Sequence, residues 1–116
     1  AQATSAEENF IVQAKAFVEK HLADEELTVE TLAAEMTLSR EQLYRKIMAL
    51  AGYSPSAFIR KLRLQKAAQL LAAKADTVSQ IAYETGFNNL SHFSKSFKEE
   101  FGKLPSEFAS ESDILE

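Results

Sequence analysis

The chain has 116 residues, 46% of them hydrophobic and 26% charged, which is long enough to bury about two-thirds of its unfolded surface in a core. The absence of cysteine excludes a disulfide framework, a thiol nucleophile and any cysteine-ligated zinc or iron–sulfur site, and two histidines leave little material for a catalytic or metal centre. Three glycines and two prolines are too few for a many-stranded β protein, and no apolar run approaches the ~18 residues of a membrane span or reads as a signal peptide.

Residues 1–6 are small and polar, begin without methionine, and read as a linker or expression scar. From about Glu7, the positions Phe10, Ile11, Ala14, Phe17, Val18 and Leu22 recur at three and four and form one apolar helical stripe, which Asp24-Glu25-Glu26 ends. Thr28 caps a short helix to about Met36 with Leu32, Ala33 and Met36 inward. Ser39 and Gln42 have capping-box spacing and open a helix from Arg40 to about Ala51, with Gly52 placed to stop it. In that helix Leu43, Ile47 and Leu50 face inward and Glu41, Tyr44, Arg45 and Met48 outward. Ser54 and Pro55 supply a cap and a first-turn proline for a long helix to about Lys74, roughly 28 Å at ~1.5 Å per residue.

Thr77 and Gln80 form a second capping-box pattern, for a short helix to about Thr85 that Gly86 ends. Asn89 caps a helix from Leu90 to Phe101, with Phe93 and Phe97 inward and Ser91, Ser94, Lys95 and Lys98 outward, and Gly102 stops it. Pro105 opens one last turn to about Phe108, and residues 110–116 read as a frayed acidic tail. The expected fold is all-α: about seven helices, with subdomains over 7–54 and 75–109 joined by a linker helix over 55–74.

Two patterns then turn the reading toward function. The net charge of −4 speaks against a nucleic-acid partner only if it is evenly spread. It is not: residues 37–74 carry Arg40, Arg45, Lys46, Arg60, Lys61, Arg63, Lys66 and Lys74 against Glu41 alone, +7, flanked by segments of −6 and −5. A polyanion-binding face and a merely solvated helix surface both fit such a block. The second pattern is a repeat. A shift of fifty sets Leu43 on Phe93, Arg45 on Lys95, Ile47 on Phe97, Gly52 on Gly102 and Pro55 on Pro105, and upstream a shift of forty-nine sets Thr28 on Thr77 and Ala33 on Ala82. Each copy is a capped short helix, a tight turn and a second helix, the layout of a helix-turn-helix.

The stretch Ile81-Ala82-Tyr83-Glu84-Thr85-Gly86-Phe87-Asn88-Asn89-Leu90-Ser91-His92-Phe93-Ser94-Lys95-Ser96-Phe97-Lys98, followed by Gly102-Lys103-Leu104-Pro105, resembles the DNA-binding domain of the AraC/XylS family of bacterial transcription regulators, over about residues 10–108. The resemblance implies two helix-turn-helix motifs reading double-stranded DNA, with Arg40, Glu41, Tyr44 and Arg45 at base- or groove-contact positions of the first. Asn89, Leu90, Ser91, Ser94 and Lys95 hold those positions in the second. The chemistry agrees: Arg45 suits a guanine's two acceptors, Glu41 a cytosine amine and Leu90 a thymine methyl, unless Leu90 packs on its own domain. Lys46, Arg60, Lys61, Arg63, Lys66 and Lys98 are the expected phosphate contacts. The motif departs from the family at His92 and Phe108, where tyrosine is usual, and at Lys95, often arginine; His92 reads first as a half-buried structural residue.

Leu38-Ser39-Arg40-Glu41-Gln42-Leu43-Tyr44-Arg45-Lys46 is similar to a branch in which this domain ends a hybrid two-component sensor. That implies a longer cytoplasmic, bacterial parent with regulatory and dimerisation domains, and RNA polymerase as a further partner. The competing reading is a helical protein-interaction module. Asp76 and Glu84 form no catalytic set with any nucleophile or phosphate loop, so no enzyme, cofactor, metal or small-molecule site is expected.

Overall fold

The computed structural model describes the backbone of residues 5–114. Among them are seven helices and no strand: α1 (Ala6–Lys20), α2 (Val29–Glu35), α3 (Arg40–Ala51), α4 (Pro55–Ala72), α5 (Val78–Glu84), α6 (Leu90–Phe101) and α7 (Pro105–Ile114). Residues 1–4 of the linker expected over 1–6, and the last two tail residues, lie outside the described ones.

Side chains start these helices as the sequence implies, with one addition at the front. Ser5 belongs to the fold: its hydroxyl accepts from the Glu8 amide at 3.1 Å and caps α1. Ser39 and Gln42 satisfy each other's backbone amides at 3.1 and 2.9 Å at the head of α3. Thr28 does the same with Thr31 at the head of α2, a threonine standing in for the glutamate or glutamine usual at that position. Thr77 accepts from Gln80, but the Gln80 amide turns to Glu84 and the cap is one-sided. Ser54 accepts from Ala57 at the start of α4. Gly52 and Gly102 stop α3 and α6 in the left-handed conformation, with φ 86° and 78°.

The repeat is visible in the turns. In the first copy the Leu38 amide reaches the Ala33 carbonyl, in the second the Phe87 amide reaches Ala82, each at 2.9 Å. The turning residue differs, being Gly86 at φ 98° in the second copy and Thr37 at φ 56° in the first. A β-branched residue in the left-handed region costs ~1–2 kcal/mol. Thr37→Gly relieves that strain, offset in part by the larger chain entropy glycine loses on folding. The expected net gain is about 0.5–1 kcal/mol, read as a higher urea midpoint with an unchanged slope.

The chain divides into two compact units, Ala1–Leu62 and Arg63–Glu116. In the first, Phe10, Ala14 and Val18 of α1 share a core with Leu32 and Ala33 of α2, Leu43 and Ile47 of α3, and Phe58, Ile59 and Leu62 of α4. In the second, Leu64, Ala67 and Leu71 of α4 pack with Ile81, Ala82, Phe87, Phe93 and Phe97. The residues expected as a linker helix therefore supply both cores.

Two expectations are corrected. Leu50 does not turn inward: 37% of it is exposed, and Ala51, four residues after Ile47, completes the packed stripe instead. The stretch over 110–116 expected as a frayed tail is helical as far as it is described, because α7 runs to Ile114. Phe108 and Ala109 pack on the second core, the Lys74 ammonium donates to the Ala109 carbonyl at 2.7 Å, and Lys103 pairs with Glu111. α7 thus supplies in the second unit packing surface that α1 supplies in the first.

Candidate nucleic-acid interface

In the first unit, burial of Leu43 and Ile47 fixes which way α3 faces. Arg40, Glu41, Tyr44, Arg45 and Met48 are exposed, with Tyr44 half exposed at 50%. The two arginines already hold carboxylates: Arg45 Nη2 lies 2.8 Å from Glu41 Oε1 one turn earlier, and Arg40 Nη1 lies 2.9 Å from Glu30 Oε1 on α2. Arg40, Glu41 and Tyr44 also line an open concavity of about 500 Å³ with Val29 and Ser54, Pro55 and Ser56. Glu30 carried no sequence signal, because it stands ten residues from its partner on another helix.

Two of the cations expected at phosphate hold their ammonium groups near aromatic rings. Lys46 is exposed, its ammonium 4.6 Å from the Phe10 ring centroid. Lys61 is half-buried, its ammonium 5.2 Å from that of Tyr53. Arg60 is fully on the surface. Aromatic contact of this kind helps to keep a cation in place.

In the second unit, Phe93 and Phe97 are wholly buried and orient α6 in the same way. Ser91, Lys95 and Lys98 are exposed and Ser94 is half-buried. Leu90 is 43% exposed rather than packed into its own core, so it is available as an apolar contact. Asn89 is already engaged, its Oδ1 accepting from the His92 amide at 2.9 Å as the helix cap. His92 is exposed rather than half-buried, with its ring centroid 5.9 Å from that of Phe87. On α4, Lys66 is exposed, whereas Arg63 is half-buried and its Nε has no hydrogen-bond partner. Burial lowers the Arg63 pKa from its ordinary value, although an arginine remains charged at any pH a folded protein meets. Among the described residues, no group of three or more histidines or carboxylates is placed to hold a metal, and no helix is long and apolar enough to cross a membrane.

A family model described as a helix-turn-helix domain matches residues 32–111. The chain is 36% identical over 105 residues to Histidine kinase P4 of Formosa agariphila, covering 90% of this chain and 8% of the kinase. It is 39% identical over 95 residues to the HTH-type transcriptional activator RhaS of an Enterobacter species, covering 82% of this chain and 34% of RhaS. The chain therefore spans a minor part of the length of these relatives. Among solved structures, an AraC-type transcriptional regulator from Chromobacterium violaceum superposes with a TM-score of 0.83 at 29% identity, covering 90% of this chain and 92% of that one. The DNA-binding domain of AdpA, solved in complex with a target DNA, does so with a TM-score of 0.82 at 26% identity, covering 90% and 94%.

Two units that each carry a capped helix, a tight turn and a second helix with a polar outer face define a helix-turn-helix DNA-binding domain. The chain belongs to the AraC/XylS-type helix-turn-helix domains, and it is a sequence-specific DNA-binding output domain of a transcription regulator.

Proposed function

We propose that α3 and α6 are the recognition helices, entering adjacent major-groove segments of one duplex. Arg40, Glu41, Tyr44 and Arg45 face base edges in the first segment; Leu90, Ser91, Ser94 and Lys95 face them in the second, with Asn89 fixing where α6 begins. Lys46, Arg60, Lys61, Lys66 and Lys98 take phosphates, and so does Arg63 where its half-buried guanidinium reaches the surface. The observation that carries this reading is the same division of faces in two helices fifty residues apart: Leu43 and Ile47, like Phe93 and Phe97, are fully buried while Arg40, Glu41, Tyr44 and Arg45, like Ser91, Lys95 and Lys98, are exposed. A tyrosine and a methionine exposed among the charges of α3 suit base contact better than plain solvation.

The likeness to a histidine kinase that is far longer than the matched region supports a parent of the hybrid-sensor kind, with this domain as its cytoplasmic output and RNA polymerase as a partner at the promoter. The test is selection from a random duplex pool at two salt concentrations. A defined site protected over two neighbouring groove segments is expected. With six cations at phosphate, its affinity falls about a thousandfold between ~50 and ~200 mM salt. Equal binding to all sequences, or protection of one groove segment alone, overturns the assignment of two reading helices.

A further inference from the structure

Both arginines on the outer face of α3 are already bound to carboxylates, and one of those carboxylates comes from another helix. Glu30 sits in the first turn of α2, which the Thr28–Thr31 reciprocal cap fixes and which Thr31 ties further by donating to the Glu26 carbonyl at 2.8 Å. The turn from α2 to α3 is closed in turn by the Leu38 amide on Ala33. Glu30 and Arg40 are thus presented to each other by two held elements and meet at 2.9 Å, with 60% and 72% of their side chains in solvent.

We infer that Glu30 is a specificity-determining residue: by holding Arg40 it denies that arginine to the phosphates of unrelated duplex and yields it only where base contacts along α3 compensate. The inference rests on α3 being a recognition helix. With Arg45 paired to Glu41 as well, these four side chains sum to no net charge, so the face offers a polyanion little attraction. A phosphate approaching Arg40 meets the Glu30 carboxylate beside it and is repelled. An exposed ion pair holds by at most about fivefold in an equilibrium, no more than the low end of the roughly 5- to 150-fold that a good bidentate base contact returns. In a nonspecific complex Arg40 stays with Glu30 and its phosphate contact is forgone, whereas at the selected site Arg40 is engaged and only the small energy of the exposed pair is given up, so the built-in repulsion bears mainly on the wrong duplex.

Glu30→Gln keeps the shape and removes the charge. Binding is measured to the selected site and to a scrambled duplex of equal length, across a salt series. The scrambled duplex is expected to bind about three- to fivefold tighter, with a salt slope steeper by about one counterion. The selected site changes by less than about twofold, so the specificity ratio falls. Glu19→Gln makes the same charge change at an exposed position of α1 and is expected to leave the ratio unaltered. In an Arg40→Ala background Glu30→Gln loses its effect. If both duplexes tighten equally, or the effect survives without Arg40, Glu30 acts as general charge and the inference fails. If Arg45→Ala also leaves base preference intact, the recognition-helix reading has failed instead.

Discussion

Phe97→Ala is expected to unfold the second unit while leaving the first folded. The Phe97 ring is fully buried and is the centre of an aromatic chain, with centroids 5.7 Å from Phe93, 4.6 Å from Phe101 and 5.4 Å, edge-on, from Phe108. Truncating a buried phenylalanine costs ~3–5 kcal/mol, because the cavity left behind collapses only partly. The loss of ring pairs adds to that. A unit of about fifty residues has only ~3–8 kcal/mol to lose, so the substitution consumes most of its stability. The first unit shares none of these rings, since its core is built from α1, α2, α3 and the start of α4. Amide exchange separates the outcomes. Protection is expected to vanish over α5, α6 and α7 and to persist in α1 to α3. Simultaneous loss in both units would show that the two cores fold as one, and a stability change under about 1 kcal/mol would show that the aromatic chain repacks.

That prediction rests partly on features the sequence carries and partly on one it does not. Caps are legible because they are local: serine, threonine or asparagine before a helix, with its partner three residues on, is a contact within one turn. Thus Ser39, Ser54, Thr77 and Asn89 stand where the pattern places them. The repeat is legible because equal backbone geometry demands similar residues, as Gly52 and Gly102 show. Thr37 breaks that correspondence. A shift of forty-nine sets it against Gly86, yet a threonine gives no sign that its backbone is left-handed.

Contacts between helices leave weaker traces. Leu50 satisfies the inward periodicity of α3, but it falls in the last turn, and only the placement of α1 decides whether anything covers it. Val12 of α1 is likewise 60% exposed. The extension of α7 is concealed by its composition, for Ala109 and the residues after it have no apolar stripe. What anchors that helix is the packing of Phe108 and Ala109 and the reach of Lys74 and Lys103 from elsewhere in the chain. The Glu30–Arg40 pair is of the same kind, so the composition of the candidate interface was legible while its internal neutralisation was not.

Replacing Arg45 separates base reading from phosphate binding. Its side chain is 71% exposed on the outer face of α3, and its guanidinium is held by Glu41 at 2.8 Å, one turn away on the same helix. Arg45→Ala removes a fork able to take both acceptors of a guanine, so affinity for the selected site is expected to fall by ~1–3 kcal/mol, with preference lost at one base pair. Lys66→Ala, by contrast, removes an exposed cation from α4 and is expected to weaken all duplexes alike, lowering the salt slope by about one. Arg45→Lys makes the sharper distinction. Lysine keeps the charge, and therefore the salt slope, but replaces a planar bidentate donor with a point charge. If Arg45 reads a base, preference relaxes in the lysine variant as it does in the alanine variant. If it contacts phosphate, the lysine variant keeps both affinity and preference. The second motif carries lysine at the equivalent position, Lys95, a point charge without a planar fork, so Lys95→Ala is expected to relax base preference less than Arg45→Ala does, leaving the first motif as the main source of discrimination.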